Sequence, residues 1–146
     1  MKQFYTIKDN VETEIVEKKS KFIANLIKVE NREEAEKKIQ EIKKKYYDAR
    51  HNCVAYRVLE NGKVEEKASD DGEPSGTAGG PMLNILQKNN LSNVLIVVTR
   101  YFGGILLGTG GLVRAYTGAF QEALEKVNII EKELGVMAKF VVTYSD

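Results

Sequence analysis

Residues 93–116 have the sequence NVLIVVTRYFGGILLGTGGLVRAY, and this stretch decides the fold. It opens with five consecutive apolar residues (94–98), a run too short for a helix and rich in branched side chains, which predicts a strand buried on both faces. We expect the strand to end in a turn at Thr99 and Arg100. From about Thr109 onward apolar residues recur at helical spacing, which predicts a long helix.

The glycine-rich loop between this strand and this helix is the first candidate binding site. Glycines let a ligand approach the backbone, and the amides at a helix N-terminus favour negative charge. An arginine on either side could add two hydrogen bonds to a phosphate. Close strand-to-helix packing, with the arginines paired to carboxylates elsewhere, is the alternative. The candidate residues for binding an anion or nucleic acid are Arg100, Arg114, Gly103, Gly104, Gly108, Thr109, Gly110 and Gly111.

A second glycine-rich loop, SDDGEPSGTAGG, occupies residues 69–80. Its carboxylates could support the arginines, hold Mg²⁺ or take part in acid–base chemistry, although acidic turns are usually only turns. Neither loop matches the Walker A or the dinucleotide-binding pattern. The acidic residues are Asp70, Asp71 and Glu73, and the further candidate binding residues are Ser75, Thr77 and His51.

The composition limits the chemistry. The 146 residues predict one domain, and the single Cys53 excludes an intramolecular disulfide. His51 and Cys53 would point the same way on a strand, but a cysteine in an apolar strand is more often a small core residue. We therefore expect no resident metal or cofactor, and a catalytic role is less favoured than a binding role.

The charge and the apolar runs bear on partners and location. A formal net charge of +1 does not by itself indicate a nucleic-acid partner, so any basic face must be built locally. No targeting pattern and no apolar run of membrane length is found, so we expect a cytoplasmic protein without a membrane partner.

The remaining pattern predicts hairpins and helices around the central strand. Lys18-Lys19-Ser20 and Asn61-Gly62 predict tight turns, and Asn31 with Glu34 predicts a helix start. In chain order we expect a hairpin over 11–16 and 21–29, a helix after Asn31 and a second hairpin over 53–58 and 63–68. A short helix from Pro81, the central strand and the long helix should follow. We then expect a polar break from residue 128 and a strand over 136–142.

Three segments resemble the signature segments of the YigZ/IMPACT family. They are DARHNCVAY at 48–56, SDDGEPSGTAGGPML at 69–83 and VVTRYFGGILLGTGGLVRAY at 97–116, and KKSKFIANL at 18–26 resembles the family's opening hairpin. The resemblance covers roughly residues 12–127. It implies an α+β two-layer sandwich with a mixed, mainly antiparallel sheet and helices on one face, as in a ribosomal-protein domain and domain four of elongation factor G.

The resemblance also implies a domain division and a role. We expect an IMPACT-type domain over residues 1–130, with 131–146 a terminal strand or the start of a truncated C-terminal ferredoxin-like domain. The expected role is that of a non-catalytic translation-associated domain that binds nucleic acid or the ribosome through the glycine loops. A small-molecule enzyme or phosphometabolite-binding protein using the same loops is one alternative. The other is a regulator of a translation-control kinase pathway whose partner is a translation-regulatory protein.

Overall fold

The computed structural model describes residues 3–134 and 141–145. In these residues a five-stranded sheet, a three-stranded sheet and three helices are present. None of the helices in this part of the chain is long and apolar enough to cross a membrane. The elements are β1 (Gln3–Ile7), β2 (Val11–Glu17), β3 (Ser20–Lys28), α1 (Arg32–Lys45), β4 (His51–Glu60), β5 (Lys63–Ser69), α2 (Gly79–Lys88), β6 (Val94–Tyr101), α3 (Gly108–Glu125), β7 (Ile129–Leu134) and β8 (Val141–Ser145).

The predicted central strand is the middle strand of the larger sheet, whose order is β2-β3-β6-β4-β5. All but the last residue of β6 are buried, which confirms a strand enclosed on both faces. The turn expected at Thr99 and Arg100 is wrong, because β3 and β4 pair with β6 almost to its end. Arg100 lies opposite Phe22 on one side and His51 on the other.

Helices cover both faces of the larger sheet. Val94, Ile96 and Val98 pack in the core that includes α2 and α3, whereas Leu95 and Val97 pack in the core that includes α1. The α+β class with a mainly antiparallel sheet is confirmed, and every strand pair of this sheet is antiparallel. The expectation of helices on one face only is wrong, because a strand that is apolar on both faces needs a covering layer on each.

The predicted turns and the first helix start are confirmed. Asn61 and Gly62 join β4 to β5 with φ of 52° and 77°, the positive values that a type I′ turn requires. The β2–β3 turn is of the same kind, with two lysines at its centre. At the start of α1, Asn31 Oδ1 accepts the Glu34 N–H at 2.8 Å, as the sequence predicts.

The three-stranded sheet was only partly expected. β7 pairs with β1 over five residues and with β8 on its other side, so the polar break predicted from residue 128 is wrong. Ile130 and Phe4 are buried in this region, and their apolar side chains account for the pairing. Most of the strand predicted over 136–142 lies outside the described residues. β7 runs across residue 130, and the domain division expected there stays a prediction.

The close packing of Gly103, in the loop after β6, can be tested by substitution. A Cβ at this position would lie 2.0 Å from the Lys19 carbonyl oxygen in the β2–β3 turn, so the backbone of the loop or of the turn must move to admit it. We expect Gly103→Ala to lower the free energy of unfolding by about 1 to 3 kcal/mol in urea titrations.

Gly118→Ala is the matched control, because nothing lies within 4 Å of a Cβ built there in the interior of α3. This change should stabilise the protein by up to about 1 kcal/mol. Equal midpoints for the two variants would contradict the close contact.

Candidate functional site

Both glycine loops lie at one end of the five-stranded sheet. Because neighbouring strands are antiparallel, the end of β6 meets the starts of β3 and β4. The loop after β5 and the N-terminus of α3 lie at the same end, since β5 pairs with β4 and α3 follows β6. The sequence segments that resemble family signatures are therefore brought together in space, as neighbours rather than as separate sites.

A buried carboxylate, Glu73, holds the two loops together. The Arg100 Nη1 donates to Glu73 Oε2 at 2.8 Å and to Oε1 at 3.1 Å, and the exposed fractions of the two side chains are 6% and 3%. Tyr116, on α3, donates its hydroxyl to Glu73 Oε2 at 2.5 Å. Burial, with the nearby Cys53 and Glu73, raises the pKa of the Tyr116 hydroxyl, which therefore stays protonated as a donor. The sequence left two roles open for Arg100, binding an anion or pairing with a carboxylate, and the structure shows the pairing.

His51 supports the acidic loop from the first residue of β4. Its Nδ1 lies 2.8 Å from the Asp71 carbonyl oxygen, and its Nε2 lies 3.5 Å from Glu73 Oε1. Both ring nitrogens thus face acceptors of the acidic loop, so His51 ties the start of β4 to that loop.

Asp70 organises the rest of the acidic loop. Its Oδ1 accepts the N–H groups of Ala78 and Gly79 at 3.1 and 2.9 Å, and its Oδ2 accepts that of Gly76 at 2.9 Å. The carboxylate thereby caps α2, which begins at Gly79, two residues before the Pro81 expected from the sequence. Partial burial would raise the pKa of Asp70, but the three backbone donors outweigh it and hold the pKa below its ordinary value.

A cavity of about 290 Å³ opens beside the Glu73–Arg100 pair, between the two glycine loops. This volume is near the lower end of the range for small-molecule sites. Its walls are mostly apolar, and the first turn of α3 reaches it without an acidic residue or a side-chain cap. The lining residues are Arg50, His51, Glu73, Pro74, Arg100, Phe102, Leu106, Leu107, Gly108, Thr109 and Leu112.

Two further depressions adjoin this cavity. One, of about 220 Å³, is lined by Glu17, Lys18 and Arg114 and shares Leu107 with the main cavity. The other shares Arg50 and Phe102 with it. The three depressions therefore share lining residues at this end of the sheet, and Arg114 is exposed in the one that it lines.

Of the remaining candidate residues, only some line these depressions. The Gly103 N–H donates to Ser20 Oγ, and the Thr77 hydroxyl donates to the Pro74 carbonyl. Gly104 is not among the residues that line these depressions, and neither is the exposed Ser75. Gly111 lines the Arg114 depression, and a Cβ on Gly110 would lie 3.3 Å from Arg114 Nη1.

Four residues of this end were not among the candidate site residues predicted from the sequence. Arg50 and Phe102 line the main cavity, and Lys18 lines its neighbour. Ser20, the first residue of β3, accepts hydrogen bonds from Arg100 and Gly103. A signal was available for two of them, since Arg50 precedes His51 in DARHN and Phe102 precedes the glycines in RYFGG.

The candidate nucleophile, Cys53, is in the core. Its side chain is fully buried, and the thiol donates to the Asp70 carbonyl oxygen at 3.1 Å. Burial raises the pKa of the Cys53 thiol, and nearby carboxylates raise it further. A buried, protonated thiol is a poor nucleophile, and the polar groups here hold the loops in place.

The chain is similar to several known proteins. The profile described as Impact N-terminal domain matches residues 18–124. The IMPACT family member YvyE of Bacillus subtilis (strain 168) is 50% identical over 131 residues, which are 90% of this chain. The match spans 60% of that relative's length.

Two solved structures are also similar. A crystal structure of a hypothetical protein has a TM-score of 0.82 and 40% identity, over 90% of this chain and 65% of that chain. The structure of the two-domain translational regulator Yih1 has a TM-score of 0.50 and 25% identity, over 84% of this chain and 46% of that one.

Glu73→Gln tests the buried pair. The change leaves the Arg100 charge buried without its counter-charge, so we expect the free energy of unfolding to fall by about 3 to 5 kcal/mol. Glu122→Gln is the control, because Glu122 and Lys126 form a half-exposed pair on α3. That change should cost about 0.5 kcal/mol or less. Similar losses in urea titrations would contradict a buried pair.

Asp70→Ala tests the cap of α2 through its pH dependence. The folded-state pKa of Asp70 lies below the unfolded value, so its contribution is present above the ordinary carboxyl range and is lost as pH falls through the folded pKa. At pH about 7 the variant should lose about 1 to 2 kcal/mol of unfolding free energy, and the gap should narrow below pH about 4. Asp9→Ala, at an exposed aspartate, should show no such gap. A loss that does not vary with pH would exclude the charged cap.

Proposed function

This chain belongs to the Impact N-terminal domain family, and from that premise we propose that it is a translation-regulatory binding module that holds RNA by its phosphates at the glycine-loop end of the sheet. A structurally similar protein, Yih1, is a translational regulator, which supports the first part of the proposal. The chain spans about 60% of the curated relative YvyE, so the proposal concerns this domain.

The observation that carries RNA binding is a set of cations at this end without ion pairs. All five side chains are exposed, and none forms an ion pair with a carboxylate of the described residues. They come from three separate segments, the β2–β3 hairpin, the residue before β4 and the second turn of α3. They are Lys18, Lys19, Lys21, Arg50 and Arg114.

Several carboxylates at the same end are engaged within the protein. Asp70 accepts backbone N–H groups, Glu73 pairs with Arg100, and Asp48 accepts the Tyr101 hydroxyl at 2.8 Å. A hydrogen-bonded carboxylate keeps its charge, and Glu17 also lies at this end, so we expect the positive local field to lie around the five exposed cations themselves. A polyanion such as RNA is attracted by such a field.

A protein partner is the second candidate, and one observation favours it. Leu106 and Tyr47, on loops at this end, are 82% and 83% exposed. Exposed apolar side chains of this size contribute to protein–protein interfaces, where they fill pockets of the partner. A translation-regulatory protein docking here would depend on Leu106, and its binding would depend less on salt than the binding of RNA.

Charge reversal tests RNA binding. We expect Arg50→Glu with Arg114→Glu to weaken binding of a labelled stem-loop RNA with an unpaired flank at least tenfold. Because each phosphate contact contributes about 0.7 to 0.9 to the slope of log K against log salt, that slope should fall by about 1.5. Fluorescence anisotropy over a range of salt concentrations measures both quantities.

Lys63→Glu with Lys88→Glu is the matched control, because both lysines are exposed at the opposite end and the net charge changes equally. This pair should bind RNA nearly as the parent does. Equal weakening by the two pairs would mean that only net charge matters. No binding by the parent at low salt would overturn the proposal, and salt-insensitive binding of a purified protein partner that is lost in Leu106→Ser would favour the second candidate.

A further inference from the structure

We infer that the cavity between the two glycine loops is a subsite for one unpaired nucleotide, with the base inside the cavity and the phosphate at its rim. The inference rests on the proposed function for the source of that nucleotide, an RNA strand. The shared chemistry is a flat heteroaromatic base joined to a phosphate, which a free nucleoside monophosphate also offers.

The charge distribution favours a base inside and a phosphate outside. Glu73 at the floor of the cavity carries a negative charge that Arg100 balances, so the floor offers no net attraction to an anion. Arg50 at the rim is exposed and has no carboxylate partner among the described residues, so it is the cation available to a phosphate. An uncharged ring fits the apolar interior better than a phosphate does.

Phe102 provides an aromatic surface at this cavity. The guanidinium carbon of Arg50 lies 5.0 Å from the centre of its ring, and that of Arg100 lies 5.5 Å from it. Arg100 is itself fixed by Glu73 and by Ser20. The ring is thus held before any ligand arrives, and an aromatic ring beside an arginine plane is the surface on which unpaired bases stack.

The floor allows little discrimination among bases. Glu73 Oε1 already faces Arg100 and His51, and Oε2 already accepts from Arg100 and Tyr116. These contacts occupy the carboxylate, so it has little capacity left to read the edge of a base. Binding should therefore depend on stacking and vary little with base identity.

The neighbouring depressions favour an unpaired strand over a duplex. A base enters a cavity of about 290 Å³ only when it is not paired. Tyr101 lines the depression that shares Phe102, with the Lys21 ammonium 5.9 Å from its ring centre, and Lys18 and Arg114 line the depression that shares Leu107, together with Glu17. One nucleotide in the cavity would have a second ring next to it in one depression and two cations with one carboxylate in the other.

The test uses an RNA oligonucleotide with 2-aminopurine at one unpaired position and a fully paired duplex of the same length. We expect the single strand to bind at least tenfold more tightly, with a change in 2-aminopurine fluorescence. Phe102→Leu should weaken single-strand binding about tenfold and abolish the fluorescence change, because stacking on the ring is lost. Phe102→Tyr, which keeps the ring, should behave as the parent does. Val64→Ala removes exposed apolar surface near the start of β5, at the opposite end of the sheet from the cavity, and it should have no effect.

The outcomes distinguish a failure of the nucleotide subsite from a failure of the proposed RNA-binding function. RNA binding with equal affinity for single strand and duplex, or binding that does not change in Phe102→Leu, would overturn the subsite and leave the proposed function in place. No binding of either RNA would overturn the proposed function. In that case, Phe102-dependent binding of adenosine monophosphate, with none of inorganic phosphate, would support the subsite with a free nucleotide as its source, and no binding of the monophosphate would overturn it.

Discussion

The end of the sheet depends on one interaction, the buried pair between Glu73 and Arg100. Glu73 lies in the loop before α2 and Arg100 lies near the end of β6, and both side chains are almost fully shielded from water. A charge taken out of water is costly unless it is fully paired, so the pair permits few arrangements of the segments that carry it. Tyr116 and His51 also contact the Glu73 carboxylate, so α3 and β4 are held to the same side chain.

The central strand and the hairpins could be predicted because their signals are local. Five apolar residues in a row, or an Asn-Gly pair between two strands, have the same meaning in most folds. The end of β6 could not be predicted in this way. Thr99 and Arg100 are polar, and polarity usually marks the end of a buried strand, but their partners Asn52 and Glu73 lie 47 and 27 residues away.

The same limit applies to the candidate site. The sequence predicted a candidate site in the two glycine loops, but it did not distinguish the arginine that is buried from those that are exposed. Arg100 is occupied by Glu73, whereas Arg114 is exposed, although both flank the same glycines. The side chain that complements them, Arg50, is separated from Arg100 by 50 positions and becomes its neighbour only because β4 pairs with β6. Long-range pairing of this kind leaves no mark in a single sequence.

This division between buried and exposed cations has a consequence for binding. Arg100 cannot leave Glu73 for a ligand without leaving a buried carboxylate unpaired, so its role is to hold Phe102 and the loops in place. The exposed cations have no carboxylate partner among the described residues to give up, although Arg50 and Lys21 lie against the rings of Phe102 and Tyr101. Because the loops are already ordered by Glu73, Asp70 and Ser20, little conformational entropy remains to be lost when a ligand binds. An apolar cavity beside exposed cations is therefore compatible with a chain whose formal net charge is only +1, because the acidic loop pairs internally.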